Sequence, residues 1–167
     1  RASFVATGQI GMVVTGRGIP LDAIRVDYAC GAVEQEVMAV KASDLVIVEG
    51  QGSLAHPGST STLPLMRGAC PTHLILCHRA GMTTLDTVRT NSIRVPPLLD
   101  LIRLYEDLAA ACGSLPAAKT VGISLNTAHM SEEAAASAVE ETKAQTGLLV
   151  TDPIRYGPKP LFDAVMT

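Results

Sequence analysis

Tryptophan is absent and aromatics make up only 3% of the 167 residues, so the core cannot be built from large rings. Val, Leu, Ile, Ala and Met must fill it. Charged residues are also few, at 17% against 47% hydrophobic, and mean hydropathy is +0.29, a balance that excludes a disordered chain. No Lys/Arg cluster with interleaved aromatics occurs, and a net charge of -3 with a pI near 5.8 leaves no electrostatic footprint for nucleic acid. The longest apolar stretches, Leu45–Val48 and Leu74–Cys77, are too short to span a bilayer. A soluble, cytoplasmic protein without nucleic-acid or membrane partners is expected.

Motifs are also missing. There is no CxxC pair, and Cys30, Cys70, Cys77 and Cys112 lie in separate apolar segments, so buried, reduced thiols are expected. His56, His73, His78 and His129 lack ligand-like spacing to them, and no metal site is expected. The G-x-x-x-x-G-K-[ST] phosphate loop does not occur. The chain opens at Arg1 without Met and runs at once into a strand-like segment, as expected of a piece cut from a longer chain. Its length suits one sizeable core, and one domain is expected.

Apolar runs of strand length recur at Phe4–Thr7, Leu45–Val48, Leu74–Cys77, Val121–Leu125 and Leu148–Thr151. Each ends in polar or glycine-rich residues, the pattern of fully buried parallel strands. Helical periodicity fills the intervals at Asp27–Lys41, Leu63–Gly68, Pro97–Cys112, Ser131–Thr146 and Pro160–Met166. Ser131 is a natural N-cap with Glu132 and Glu133 in the first turn, and Gly147 a natural stop. This alternation predicts an α/β fold with a mostly parallel sheet and helices on both faces. Ligands of such sheets sit outside the carboxyl ends of the strands. Gly81–Arg94 is polar and aperiodic, and reads either as a mobile flap or as a long ordered surface connection.

The sharpest signal is Val46-Ile47-Val48-Glu49-Gly50-Gln51-Gly52-Ser53. A buried strand delivers a carboxylate at its end, and glycines then let backbone N–H groups approach a ligand. Glu49 suits a general base, a holder of magnesium-bound water or a receiver of a substrate ammonium group; the bland alternative is a cap on a neighbouring helix. His56 closes the loop with a titratable ring, or is an ordinary loop histidine. Gly8 and Gln9 after the first strand suit a phosphate or carboxylate, or a tight turn. Asp27 and Glu34, two turns apart, either border the site or act as a cap and a solvated acid. Asn126 could read an adenine edge or start a turn. Arg155, after Asp152-Pro153-Ile154, could bind carboxylate or phosphate in bidentate fashion, or pair with Asp152. His78 and Arg79 follow another strand end.

The run Phe4–Gly11, then Asp27 to Glu34, Val48-Glu49-Gly50-Gln51-Gly52-Ser53-Leu54-Ala55-His56-Pro57, Cys77-His78 and Asp152–Gly157 resembles the DgcN family, whose named activity is D-glutamate N-acetyltransferase. The resemblance implies a Rossmann-like first domain followed by a P-loop NTPase-like, three-layer α/β/α domain. Residues 1–167 would form most of the second, with a Walker-type loop just before Arg1. It also implies acetyl-CoA as co-substrate, a D-amino acid as acceptor and a homo-oligomer. Glu49 or His56 would take the amine proton, N–H groups of Gly50, Gln51, Gly52 and Ser53 would hold the oxyanion, and Arg155 and Arg79 would bind substrate carboxylates. The Glu49–Gly52 run and Asn126 are similar also to dethiobiotin synthetase, so an ATP- and magnesium-dependent ligase is the alternative. A non-catalytic nucleotide- or metabolite-binding module is a third possibility.

Overall fold

The computed structural model describes residues 1–85 and 93–167. The middle of the Gly81–Arg94 stretch, for which a flap or an ordered connection was expected, lies outside the described residues. Its flanks approach each other antiparallel, with Leu85 N–H donating to Ile93 O and Val95 N–H to Thr83 O. The chain divides into two compact units, Arg1–Pro71 and Thr72–Thr167.

The first unit runs β1 (Ala2–Val5), α1 (Gln9–Thr15), a 3-10 turn (Leu21–Ala23), α2 (Val26–Ala39), β2 (Leu45–Val48) and α3 (Thr62–Ala69). β1 and β2 pair in parallel, with Val5 opposite Val48, so the residues after both strands emerge side by side. The core joins Leu21, Ala29, Val33 and Leu65 to Val48 of β2. α2 and α3 cross closely because Gly68 has no side chain: a Cβ there would come within 2.7 Å of Val33 Cβ and would strike the Cys30 carbonyl.

The second unit holds β3 (His73–Arg79), α4 (Leu98–Ala110), β4 (Lys119–Asn126), α5 (Glu132–Thr146), β5 (Leu149–Thr151) and α6 (Lys159–Val165). Its sheet is parallel in the order β3-β4-β5. On one face of β4, Ile123 and Leu125 pack with Ile102 of α4 and Val139 of α5. Gly122 points the other way, where a Cβ would meet Leu161 of α6 at 2.8 Å. Helices therefore cover both faces of this sheet, as the alternation predicts.

Two expectations need correction. The strands are not all buried: Ile123 and Leu125 of central β4 are fully enclosed, whereas β3 alternates exposed and half-buried residues. β3 lies at the edge of its sheet, where the neighbours that would enclose it are fewer. The thiols are free but not buried, with Cys30 half-buried and Cys70, Cys77 and Cys112 exposed. Cys70 and Cys112 sit at turns with φ of 43° and 56°, and Cys77 lies on the outward side of β3.

Candidate functional site

In the first unit, the parallel pairing places Glu49 beside Thr7 and Gly8. One carboxylate oxygen, Oε2, accepts the backbone N–H groups of Thr7 at 2.9 Å and Gly8 at 3.1 Å. The Thr7 hydroxyl donates back to Glu49 O at 2.9 Å, and Glu49 N–H donates to Val5 O at 3.0 Å. Gly8 is the N-cap of α1, so Glu49 does serve as a cap, with its charge at the positive end of a short helix. This bracket uses one oxygen and fixes the other.

Glycine is required at this contact for space. A Cβ at Gly8 would meet Gln51 Nε2 at 2.5 Å and Glu49 Oε1 at 3.6 Å, and one at Gly11 would strike Glu49 Oε2. Gly8, Glu49 and Gln51 therefore share one surface. Gln9 is exposed, and its amide donates to both carboxylate oxygens of Asp22 at 3.0 and 2.9 Å.

The loop after Glu49 is held by its own polar groups. Thr62 Oγ1 donates to Gln51 O at 2.8 Å, Ser59 Oγ accepts from Ser53 N–H at 2.9 Å, and Ser53 Oγ accepts from Ala55 N–H at 3.2 Å. Gly52 takes φ of 64°, a conformation open to glycine. His56 Nδ1 accepts the Gly58 N–H at 3.0 Å. Sequence reasoning passed over Thr7, Ser59 and Thr62; the available signal was small hydroxyl residues flanking the glycine-rich run.

Asp27 and Glu34 are exposed on α2, with Asp27 in its first turn. Asp27 is thus a first-turn acid and not the expected cap, since Arg25 is the N-cap of α2, and Glu34 is the solvated acid.

The carboxyl ends of the second sheet hold another network. Asp152, only 3% exposed, accepts at Oδ2 from Thr127 N–H at 3.0 Å and Thr127 Oγ1 at 2.5 Å. Its Oδ1 accepts the N–H groups of Ile154 at 2.9 Å and Arg155 at 3.2 Å. Burial alone would raise its pKa, but the Thr127 hydroxyl and these N–H groups outweigh that and hold it below the ordinary value.

Arg155 lies over the same loop. Its Nε donates to Thr127 Oγ1 at 3.0 Å, Nη1 to Glu132 at 2.8 Å, and Nη2 to Met130 O at 2.6 Å and Thr127 O at 3.3 Å. The fork expected to take a ligand carboxylate is thus filled by acceptors of the protein. Asn126 Oδ1 accepts Ala128 N–H at 3.0 Å, which is the turn-starting role. His78 is half-buried with its pKa lowered by burial, and Arg79 is exposed opposite Asn126. Among the described residues no three His, Cys, Asp or Glu side chains converge as a metal site.

Parallel strands flanked by helices define an α/β fold. Residues 1–162 match the family model described as a domain of unknown function (DUF1611_C), P-loop domain, and the chain belongs to that family. It is 37% identical over 99% of its length to a D-glutamate N-acetyltransferase of Tritonibacter scottomollicae, covering 49% of that protein. To a D-glutamate N-acetyltransferase of a Pseudoalteromonas species it is 34% identical over 92% of its length, covering 46% of that one. A crystal structure of a DUF1611 family protein from Anabaena variabilis superposes with a TM-score of 0.95 at 52% identity, over 99% of this chain and 48% of the other. The chain spans about half the length of these relatives.

Proposed function

We propose that this chain carries the reacting loop of an N-acyltransferase that moves the acetyl group of acetyl-CoA to the amine of a D-amino acid such as D-glutamate. The observation that supports this most is Glu49, an acceptor-only carboxylate fixed at the end of β2 by Thr7 and Gly8 and followed directly by glycines. The names of the two D-glutamate N-acetyltransferase relatives supply the substrate class.

In this reading the free amine attacks the thioester carbonyl carbon, the new N–C bond forms, and the carbonyl π electrons move onto oxygen. Glu49 takes one amine proton. As the carbonyl re-forms, the C–S bond breaks and that proton passes to the departing thiolate, leaving N-acetyl amino acid, free CoA thiol and an ionised Glu49. Ser53 N–H is already taken by Ser59, which narrows the oxyanion donors of the run to Gly50, Gln51 and Gly52. One such donor is worth about 3 kcal/mol. Arg79 is exposed at the end of β3, and Arg155 serves instead to hold the 127–132 loop. Assembly as a homo-oligomer in the cytoplasm belongs to the same proposal.

The family's P-loop description fits the phosphates of CoA, and it also supports a second reading as an ATP- and magnesium-dependent ligase. The intact protein, given acetyl-CoA and a panel of D- and L-amino acids while free thiol is followed, separates the two. Thiol release that needs a D-amino acid supports acyl transfer. No release with any amine, together with magnesium-dependent ATP hydrolysis, would replace it with the ligase.

A further inference from the structure

The roles of Glu49 and His56 are separable from one hydrogen bond. The backbone N–H of Gly58 donates to Nδ1 of His56 at 3.0 Å, and an amide N–H can only donate. Nδ1 therefore presents its lone pair there, and the neutral ring carries its proton on Nε2. Turning the ring over would put a carbon-bound hydrogen against that N–H and forfeit the bond.

The loop is shaped around this arrangement. A Cβ on Gly58 would lie 3.2 Å from His56 Cε1 and 3.4 Å from Nδ1, so the ring edge rests on the glycine. The backbone closes a second bond across the same turn, Ser59 N–H to His56 O at 3.0 Å. A ring held this way has no lone pair to offer a ligand. Its other nitrogen is a donor.

We propose that His56 acts as a hydrogen-bond donor through Nε2–H, polarising the thioester carbonyl oxygen as negative charge develops on it, and that it does not accept the amine proton. This inference rests on the acyl-transfer reading above. Proton acceptance is left to Glu49. The two residues then act on opposite partners: Glu49 on the amine, His56 on the carbonyl. No bond to His56 forms or breaks during the transfer.

Two measurements on the intact protein test this. The first is ¹⁵N NMR of histidine-labelled protein, following His56 by comparison with His56→Gln at a pH where the ring is neutral. A pyrrole-type Nε2 and a pyridine-type Nδ1 are expected, and Gly58→Ala should shift the ring toward a mixture of tautomers. A proton on Nδ1 in the unmodified protein would overturn the inference. The second is thiol release. His56→Gln keeps a side-chain N–H donor and should retain kcat to within about tenfold, whereas His56→Ala should lose about 10²–10³-fold. Equal losses in both variants would overturn the donor role. Absence of thiol release from the unmodified protein would instead sink the acyl-transfer reading, and the carbonyl role with it, whichever tautomer the spectrum reports.

Discussion

At the scale of single residues, the buried carboxylate of Asp152 accepts four hydrogen bonds. Its folded pKa lies below the ordinary value, so its contribution to stability is fully present above the unfolded value of about 3.9 and is lost as pH falls through the lower folded value. Asp152→Asn keeps the shape but turns an N–H donor toward groups that are themselves donors. We expect a loss of about 1–3 kcal/mol near neutral pH, read by urea denaturation, and a gap from the unmodified protein that narrows on acidification below about pH 4. A gap that widens in acid would mean the pKa is raised. The sequence displayed Asp152 and Arg155 together, and an Asp-Arg pair was one of its readings; the guanidinium instead pairs with Glu132, and of Arg155 the Asp152 carboxylate meets only the backbone N–H. It did not display Thr127, because a threonine after an asparagine carries no sign that both its N–H and its hydroxyl will meet a carboxylate 25 residues later. Glu49 was legible for the opposite reason: a charge at the end of an apolar strand must find partners, and it finds them in the turn after the neighbouring strand.

At the scale of elements, helices with chemical punctuation were readable to within a residue or two. Ser131 Oγ accepts Ala134 N–H at 3.3 Å, and Gly147 ends α5 with φ of 69°, both as the pattern predicts. α1 was not readable. Its sequence, Gln9-Ile10-Gly11-Met12-Val13-Val14-Thr15, holds a glycine and two β-branched valines, buries no residue, and its N-cap Gly8 has no side chain to cap it; tertiary placement under Glu49, which accepts the Gly8 N–H, overrides weak propensity. Strand positions were legible from apolar runs, but their exposure was not, since a run cannot tell whether it will lie at a sheet edge. The crossing of α2 and α3 gives a direct test. Alanine is favoured over glycine in a helix by about 1 kcal/mol, yet Gly68→Ala must displace Val33 and the Cys30 carbonyl. We expect net destabilisation of about 1–3 kcal/mol in thermal or urea denaturation. A more stable variant would show that the two helices can separate without loss.

At the scale of the whole molecule, composition and family agree on an α/β domain with few aromatics. No helix among the described residues is long and apolar enough to cross a membrane. The relatives are about twice as long as this chain, and the proposed activity is tested on protein of that length. The central claim is that Glu49 is a base and not only the cap of α1, and Glu49→Gln separates the two roles. Glutamine keeps an oxygen able to accept the Thr7 and Gly8 N–H groups but cannot take an amine proton at neutral pH. The most direct measurement is kcat for D-glutamate-dependent thiol release by Glu49→Gln in the intact protein, with its melting temperature recorded alongside. A fall of about 10²-fold or more with a melting temperature within a few degrees of the unmodified protein, on the order of 1 kcal/mol, is the predicted result. Full activity in that variant would contradict the account and leave Glu49 as a structural cap.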